Sequence, residues 1–398
     1  MKLPEGWKEV ELEELLLVSM SGCWGDEADE TSGTPVLRST NFTKDLKLKA
    51  NKIAYRKISK EDIKTKKLEY GDLLLEKSGG GPGQPVGRVI IFNIKKDRDF
   101  VCGNFIQKLR PDKNKISFSY LYYYLNLLYM KGFTENLFNK TTGIQNLRLK
   151  DYLKIKVPIP DLQTQQKIVS ILEKAEKAKE LRKEADGLTK DFLKSVFMEM
   201  FGDPVRNNKN FPMVKLKEIA LIERNSIAAD KIKKGDKYVG LEHLESESGR
   251  IIKIVSVIDG DLKSNKFSFD EDCVLYGKLR PYLNKISLPD FKGICSTDIV
   301  PIRPLKDKSN KYFISYILKQ PYYIQLATDR SVGANLPRLS PRELELFEII
   351  HPPLPLQNKF ASIVKEVEQM KKQQKHSKEH IDNLFNALMQ KAFKGELI

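Results

Sequence analysis

The sequence predicts an α+β protein of two tandem mixed α/β domains, each followed by one long helix. Two observations lead to this fold class. Landmark segments recur in the same order in both halves of the chain. Each half also ends in a long proline-free stretch with a heptad pattern. The predicted boundaries are 1–161 for the first domain, 162–202 for its helix, 203–353 for the second domain and 354–398 for the second helix.

An internal repeat of about half the chain length indicates the two domains. The paired landmarks are residues 7–12 with 211–216, 70–75 with 270–275, 105–111 with 298–304, 143–149 with 333–339, and 160–167 with 352–359. Between them, short β-branched or apolar runs bounded by Gly, Pro, Asn and Asp are typical of strands. Because the landmarks keep one order, both halves are expected to share one mixed α/β fold.

The residues that follow each Pro-x-Leu-x-x-Gln segment are predicted to form two long helices that pair as an antiparallel coiled coil. Their apolar positions step by three and four residues in turn. These positions are Ile168, Ile171, Ala175, Ala178, Phe192 and Val196 in the first helix, and Phe360, Ile363, Val367, Met370, Ile381, Leu384 and Leu388 in the second. The pairing is antiparallel because the first helix leads directly into the second domain, and the second helix begins where that domain ends. The polar positions Arg182 and Gln374 are then expected to face each other.

Charge and composition narrow the class of protein. The 398 residues carry a formal net charge of +16, yet 40% of them are hydrophobic. This balance excludes a disordered polycation and favours a nucleic acid as the partner. No apolar run approaches the roughly 20 residues of a membrane span, and the first residues lack a secretory signal. Four cysteines without a Cys-x-x-Cys indicate neither a disulfide framework nor a zinc site. We therefore expect a cytoplasmic protein with no membrane partner.

Two polar loops in each domain suit DNA recognition. Bases are recognised by Arg, Lys, Asn and Gln, and phosphates by Lys, Arg, Ser and backbone amides. The first polar loop supplies Lys77, Ser78, Gln84 and Arg88 in the first domain, and Lys278, Arg280, Tyr282, Asn284 and Lys285 in the second. The second polar loop supplies Thr142, Gln145, Asn146 and Arg148 in the first domain, and Arg330, Asn335 and Arg338 in the second. The alternative interpretation is that these loops only cap strands and helices.

Over essentially its full length, the sequence resembles the specificity subunits of type I restriction–modification enzymes. The matching segments are residues 3–7, 200–204, 279–285 and 394–397, together with the two Pro-x-Leu-x-x-Gln helix starts. The first domain departs from the pattern, because it has the glycine-rich segment 78–85 where the second domain has 279–285. Target domains in this family vary, so the departure leaves the bases of the first half-site open.

The resemblance implies two target-recognition domains, each reading one half of a bipartite site in double-stranded DNA, and a pair of helices that sets the gap. It further implies two modification subunits that dock on the helices and bring S-adenosylmethionine and adenine methylation. Restriction subunits would add translocation and cleavage with ATP and Mg. These cofactors are thus expected on partner subunits, and none is expected in this chain.

The search for catalytic motifs supports a non-catalytic chain. A DNA adenine methyltransferase needs an Asn/Asp-Pro-Pro-aromatic tetrad, and the nearest string, His-Pro-Pro-Leu at 351–354, lacks both end residues. The glycine-rich segment 79–83 is not followed by the Gly-Lys-Ser/Thr of a phosphate loop. His376 and His380 lie four residues apart without a third metal ligand. We therefore predict neither an enzyme nor a metal site.

Two hypotheses of different classes remain. The leading one is a sequence-specific DNA-binding subunit that directs methylation and restriction by its partners. The alternative is a coiled-coil scaffold with degenerate DNA-recognition domains that recruits another partner. A self-sufficient nuclease or methyltransferase is disfavoured because its motifs are missing.

Overall fold

Two compact units make up the computed structural model, which describes residues 3–81, 83–94, 98–141, 144–258 and 262–398. Unit 1 comprises Met1–Arg182 and Ser377–Ile398, and unit 2 comprises Lys183–His376. Each unit therefore contains one α+β domain and a segment of each of the two long helices. The predicted boundaries instead treated each long helix as a separate piece of the chain.

The helices of the described chain include the two long ones at the predicted places. The α-helices are α1 (Lys60–Lys66), α2 (Phe118–Met130), α3 (Leu149–Leu153), α4 (Leu162–Phe201), α5 (Leu216–Ile219), α6 (Lys311–Leu318), α7 (Pro321–Asp329), α8 (Pro341–Glu345) and α9 (Leu354–Ala392). Short 3₁₀ turns cover Leu12–Leu15, Ser39–Asn41, Phe133–Asn136, Ala229–Lys231, Leu241–His243 and Pro281–Leu283. Helix α4 ends at Phe201, and the next residue, Gly202, has a left-handed φ of 72°, which is typical of a residue just beyond a helix. None of the helices described is long and apolar enough to cross a membrane.

Unit 1 holds three sheets and a separate strand pair. Its strands are β1 (Lys8–Glu11), β2 (Leu16–Ser21), β3 (Asp26–Glu27), β4 (Thr34–Leu37), β5 (Ala54–Lys57), β6 (Leu73–Glu76), β7 (Ser78–Gly79), β8 (Val89–Ile91), β9 (Val101–Cys102), β10 (Ile106–Pro111), β11 (Phe138–Thr141), β12 (Ile144–Leu147) and β13 (Lys156–Ile159). The sheets have the orders β2-β10-β6-β8, β3-β5-β4-β9 and β11-β12-β7, and β1 pairs with β13.

Unit 2 repeats most of this arrangement. Its strands are β14 (Met213–Lys215), β15 (Ala220–Ile222), β16 (Ser226–Ile227), β17 (Lys237–Val239), β18 (Val255–Ser256), β19 (Lys266–Phe269), β20 (Val274–Gly277), β21 (Ile286–Ser287), β22 (Gly293–Cys295), β23 (Ile299–Pro304) and β24 (Glu348–Ile350). The sheets have the orders β15-β23-β20-β21 and β16-β19-β22-β17-β18, and β14 pairs with β24.

The central sheets of the two units correspond strand by strand. The order β2-β10-β6-β8 returns as β15-β23-β20-β21, and every pair in both sheets is antiparallel. A parallel pair also recurs: Cys102 of β9 lies opposite Leu37 of β4, and Cys295 of β22 lies opposite Val239 of β17. The two cysteines therefore occupy the same place in both units. The predicted tandem duplication is confirmed.

Each unit builds its main hydrophobic core between the domain and the long helices. In unit 1 the tyrosine-rich helix α2 packs on the start of α4 and the end of α9, and the rings of Tyr120 and Phe393 lie 5.0 Å apart. In unit 2 the rings of Phe197 and Phe201, at the end of α4, contact Phe360 near the start of α9. Because the start of one helix lies beside the end of the other in both units, the predicted antiparallel pairing is confirmed.

A fully buried glutamine fixes the first turn of each long helix. The side chain of Gln165 accepts a hydrogen bond from the Ser117 N–H (2.8 Å) and donates to the carbonyl of the proline five residues earlier (3.0 Å). Gln357 accepts from the Ser309 hydroxyl (2.8 Å) and donates to the equivalent proline carbonyl (2.8 Å). The Pro-x-Leu-x-x-Gln segments are therefore joints that tie each helix to the domain before it.

The apolar seam of the helices has a different phase from the predicted one. Along α4 the buried residues include Ile168, Leu172, Leu193 and Phe197, so the step that follows Ile168 is four residues and not the predicted three. Phe192 is 51% exposed, whereas Leu193 beside it is only 2% exposed. In α9 the predicted Phe360 and Val367 are buried as expected, but the predicted Met370 and Leu384 are exposed, and Phe385 takes the place of Leu384. The predictions for Phe192, Met370 and Leu384 are therefore wrong. The remaining predicted positions, Ile171, Ala175, Ala178, Val196, Ile363, Ile381 and Leu388, are partly buried.

Lys179 explains why the phase of the apolar seam could not be predicted from the sequence. It occupies a seam position, where its ammonium lies 4.6 Å from the Phe385 ring centroid and 3.0 Å from the Asp382 carboxylate. A lysine can cover apolar surface with its stem while its charge stays paired, so a charged residue need not mark the outer face of a helix. Gln374 also differs from expectation: it donates a hydrogen bond to the Thr189 hydroxyl (3.1 Å), one heptad beyond the predicted Arg182.

The corrected phase makes a prediction for two neighbouring residues. Leu193→Ala is expected to lower the free energy of unfolding by about 2–5 kcal/mol, because it leaves a cavity in the core of unit 2. Phe192→Ala removes a larger but exposed side chain and is expected to change stability by about 0.5 kcal/mol or less. Chemical denaturation of the two variants measures the difference. A larger loss for Phe192→Ala would restore the originally predicted seam.

Candidate nucleic-acid interface

The two polar loops of unit 1 lie side by side. Strand β7, in the first loop, pairs antiparallel with β12 in the second, so that Ser78 lies opposite Asn146 and Gly79 opposite Gln145. The N–H of Leu147 donates to the carbonyl of Lys77 (2.8 Å) and extends this pairing. Residues that the sequence placed about seventy positions apart therefore form one continuous surface.

Unit 2 joins its polar loops in the same way. Leu279 and Arg338 form an antiparallel bridge, and the N–H of Leu339 donates to the carbonyl of Lys278 (3.0 Å). A further backbone bond runs from the N–H of Arg280 to the carbonyl of Pro337 (2.7 Å). Both units therefore brace the two loops against each other by backbone hydrogen bonds.

These shared bonds correct the residue correspondence between the second polar loops. Because Leu147 and Leu339 make the same bond, Asn146 is the counterpart of Arg338. The landmark pairing had instead matched Arg148 with Arg338. Arg148 lies at the start of α3 and corresponds to Ser340, which precedes α8. The landmark pairing aligned Gly143 with Gly333 and is wrong by two residues at this point, because the backbone bonds align Leu147 with Leu339.

Several predicted side chains do face solvent. Asn146, Arg148, Arg280, Tyr282, Arg330, Asn335 and Arg338 are exposed, and Ser78, Gln84 and Lys278 are partly exposed. Arg280 has a left-handed φ of 52° at the place where unit 1 has Gly79, which also has a positive φ. A non-glycine residue in this conformation is uncommon. Its guanidinium donates to the carbonyl of Asn335 (3.2 Å), which holds the side chain at the seam between the loops.

The guanidinium of Arg338 is held in place by a carboxylate. Its Nε donates to Oδ1 of Asp298 (2.9 Å), and this hydrogen bond raises the pKa of the arginine. In the same way Nε of Arg148 donates to Asp151 (2.7 Å), and Arg330 lies 3.5 Å from Glu343. An arginine oriented by a carboxylate in this way keeps its remaining donors in a fixed direction, which suits the recognition of a base edge.

Arg88 is buried, and the prediction that it contacts DNA is wrong. The side chain is 5% exposed, and two of its nitrogens donate to the Glu76 carboxylate (2.7 and 2.8 Å). Two further bonds run to the carbonyls of Phe42 and Ser39 (3.3 Å each). Burial opposes the charge of the guanidinium, but the Glu76 carboxylate outweighs it and the pKa of Arg88 is raised. Arg88 therefore holds strands β6 and β8 to the 3₁₀ turn at residues 39–41.

Asn284 is the second correction. It is buried and donates to the Glu247 carboxylate (3.0 Å), so it shapes the turn that follows Tyr282 and is not available to DNA. Lys285 donates to the carbonyl of Leu241 (2.9 Å) and is only partly exposed.

The first unit uses some of its predicted residues in a similar way. Lys77 donates to the Ser21 hydroxyl (2.8 Å), and burial lowers the pKa of its ammonium. The side chain of Gln145 accepts a hydrogen bond from the Val86 N–H (3.1 Å). These contacts hold the first polar loop in shape. Thr142 lies outside the described residues.

A cavity of about 460 Å³ opens beside the first polar loop of unit 1. The sequence did not predict this cavity. Trp24, Arg38 and Phe105 line it, and the Phe105 carbonyl accepts the N–H of Lys77 (2.9 Å). The guanidinium of Arg56 lies over the Trp24 ring, 4.4 Å from its centroid. The residues that line the cavity come from distant segments of the chain. The only indication of it in the sequence is Trp24, which lies next to a glycine. Aromatic and guanidinium groups at such a site can stack on bases.

The described part of the chain holds neither a metal cluster nor a reactive thiol. No cluster of three His, Cys, Asp or Glu residues there could hold a metal ion. The four cysteines are free and buried, and burial raises the pKa of Cys102 and of Cys273 to about 12. Thiols of this kind are poor nucleophiles at neutral pH.

Two equivalent domains that present amide, guanidinium and aromatic side chains on braced loops define a nucleic-acid-recognition protein with two readers. The chain belongs to the type I restriction modification DNA specificity domain family, whose model matches residues 4–186 and 208–382. It is the DNA-recognition subunit of a type I restriction–modification complex and not an enzyme. The family and the role predicted from the sequence are confirmed.

Relatives and solved structures support this assignment. The specificity subunit of the type I restriction enzyme EcoDI from Escherichia coli is 25% identical over 437 residues, covering 100% of this chain and 90% of the relative. The crystal structure of a type I restriction–modification S subunit from M. genitalium superposes with a TM-score of 0.60 at 16% identity, over 99% of this chain and 98% of that one. At this identity the structural likeness shows the fold alone.

The buried ion pair makes a prediction that separates stability from recognition. Arg88→Ala is expected to lower the free energy of unfolding by about 3–5 kcal/mol, because it leaves the Glu76 carboxylate buried without a partner. Arg148→Ala removes an exposed arginine that pairs with Asp151 and is expected to cost about 1 kcal/mol or less. Chemical denaturation measures both variants. Equal stability of the two would contradict a structural role for Arg88.

Proposed function

We propose that each unit reads one half of a bipartite site in double-stranded DNA through its two braced polar loops. The proposal rests on one observation: both units brace the two loops in the same way. The N–H of Leu147 donates to the carbonyl of Lys77 in unit 1, and the N–H of Leu339 donates to the carbonyl of Lys278 in unit 2. The exposed side chains on this surface differ between the units, so the two half-sites have different sequences. The net charge of +16 supplies the attraction to phosphates that any duplex offers.

The side chains of each surface divide by the groups that they can recognise. Asn146 suits adenine, to which an amide donates and accepts in the major groove. Arg280 and Arg338 suit guanine, whose O6 and N7 accept from a guanidinium. Lys278 and Ser78 suit phosphates, which position a protein without reading sequence. Tyr282, with its ring at the apex of the turn, suits stacking or contact with the sugar–phosphate backbone.

The partners that complete the activity follow from the family. We assign methylation of adenine to two modification subunits with S-adenosylmethionine, and translocation and cleavage to restriction subunits with ATP and Mg, in the cytoplasm. The long helices offer a surface for docking, because large apolar side chains point to solvent along them. These are Leu181, Leu188, Phe192, Met370 and Leu384.

We assign the spacing between the half-sites to the long helices. At about 1.5 Å per residue, the 40 residues of α4 and 39 of α9 give helices about 60 Å long. One turn of B-DNA is about 34–36 Å, so helices of this length suffice to set a gap of about one turn.

The first prediction from this proposal concerns the two readers. Replacing residues 203–350 with the same segment of a relative is expected to change one half-site and leave the other, because the two units have separate hydrophobic cores. Selection of bound DNA from a random pool, with the modification subunit present, measures both half-sites. A single continuous site, or a change in both halves, would contradict the proposal. Failure to select any sequence would favour the scaffold alternative.

The second prediction concerns the spacer. Seven residues inserted after Ala178 and seven after Asp382 keep the seam in phase and preserve the Lys179–Asp382 pair. The insertion lengthens each helix by about 10 Å, so the preferred gap should grow by about three base pairs at 3.4 Å each. The same selection measures the gap, and the half-site sequences serve as the internal control. An unchanged gap would show that the helices do not set the spacing.

A further inference from the structure

Both units expose an aliphatic side chain at the same position of the second polar loop. Ile144 is 47% exposed and lies two residues before Asn146, which pairs with the first polar loop. Leu336 is 45% exposed and lies two residues before Arg338, which pairs with the first polar loop of unit 2. The correspondence between Asn146 and Arg338 therefore makes Ile144 and Leu336 equivalent residues.

Burial along this segment separates its two faces. In an extended chain, alternate residues point to opposite sides. Leu147 and Leu339 are buried in the cores of their units, and Gln145 accepts a hydrogen bond from within its own domain. Ile144 and Asn146, two residues apart in β12, are exposed on the same face of that strand. In unit 2, Leu336 lies in the bend just before Arg338, and both residues are exposed. Each unit thus presents an exposed aliphatic residue two positions before an exposed hydrogen-bonding one.

Packing within the protein does not account for this pair of residues. A single exposed aliphatic residue is ordinary on a protein surface. Here the feature occurs twice, although the turns before it differ in length and the neighbouring side chains differ in chemistry. Both copies lie within the polar, basic surface that is proposed to meet DNA, so duplex DNA is the partner that would cover them.

We propose that Ile144 and Leu336 each contact the methyl group of a thymine in the major groove. This inference rests on the proposed function and names one base pair in each half-site. The thymine methyl is the apolar feature that the major groove presents, and a two-stranded β-ribbon such as β11–β12 fits that groove. Asn146, about 7 Å further along β12, and Arg338, two residues after Leu336, then meet the polar edge of a nearby base pair.

The arrangement has a consequence for the recognised sequence. Each half-site contains an A·T pair at the position that the aliphatic residue addresses. The neighbouring requirement differs, because the amide of Asn146 suits adenine and the guanidinium of Arg338 suits guanine. The two half-sites therefore share the thymine and differ in the base beside it.

The test uses the full chain with its modification subunit and the duplex selected from a random pool. Replacing the contacted thymine of the first half-site with uracil removes only the methyl group. Binding is expected to weaken about fourfold, which corresponds to one buried methylene-sized group. With the Ile144→Ala variant the same replacement is expected to have no further effect. Leu336→Ala should remove the corresponding effect in the second half-site only.

Leu17→Ala serves as the matched control, because Leu17 is an exposed aliphatic residue on β2, outside both polar loops. It should leave the response to uracil unchanged. The inference is overturned if no thymine responds to uracil, if the response persists in Ile144→Ala, or if Ile144→Ala abolishes a bend in the DNA regardless of uracil, which would indicate a wedge between base pairs. In each of these cases selected half-sites would still support the proposed function. Selection of no sequence at all would overturn both.

Discussion

The fully buried glutamine at the start of each long helix is the constraint on which the rest of each unit depends. Its side-chain amide accepts a hydrogen bond from the domain and donates one to the proline carbonyl before the helix. If these bonds were lost, several buried polar groups would have no hydrogen-bond partner. Gln165 and Gln357 therefore fix how each domain is attached to its helix. The loops proposed to face DNA are carried by the sheets of the same domain, so their direction relative to the helix is set at this joint.

The fold was largely predictable because its strongest signals are local or repeated. The Pro-x-Leu-x-x-Gln segments and the Gly202 exit mark the ends of α4 and the start of α9 within the chain itself. The phase of the seam was not predictable in the same way. Apolar residues occupy both Phe192 and Leu193, and a 3.5-residue repeat accepts either order of three and four. Only the contacts of Lys179 with Phe385 and Asp382 decide between them.

The candidate site was predicted as segments but not residue by residue. Arg88 and Asn284 are the residue types that read bases, and nothing beside them in the sequence indicates burial. Their burial depends on carboxylate partners that the fold brings next to them. These are Glu76, twelve residues from Arg88, and Glu247, thirty-seven residues from Asn284. The sequence does not single out the exposed residues Ile144 and Leu336, because apolar side chains are normally assigned to the core. Alternation along β12 is a signal for Ile144, whereas Leu336 lies in a bend that the sequence does not reveal.

The composition of unit 1 has a consequence for the order in which the protein folds during synthesis. Unit 2 is one continuous stretch, Lys183–His376, so all of its core residues have been synthesised once that stretch is complete. Unit 1 begins first, yet its core includes Phe385, Met389 and Phe393. Domains are generally expected to fold in order from the N-terminus. Here the earlier domain must keep part of its apolar surface uncovered until the later domain has formed, which exposes it to chaperones for longest.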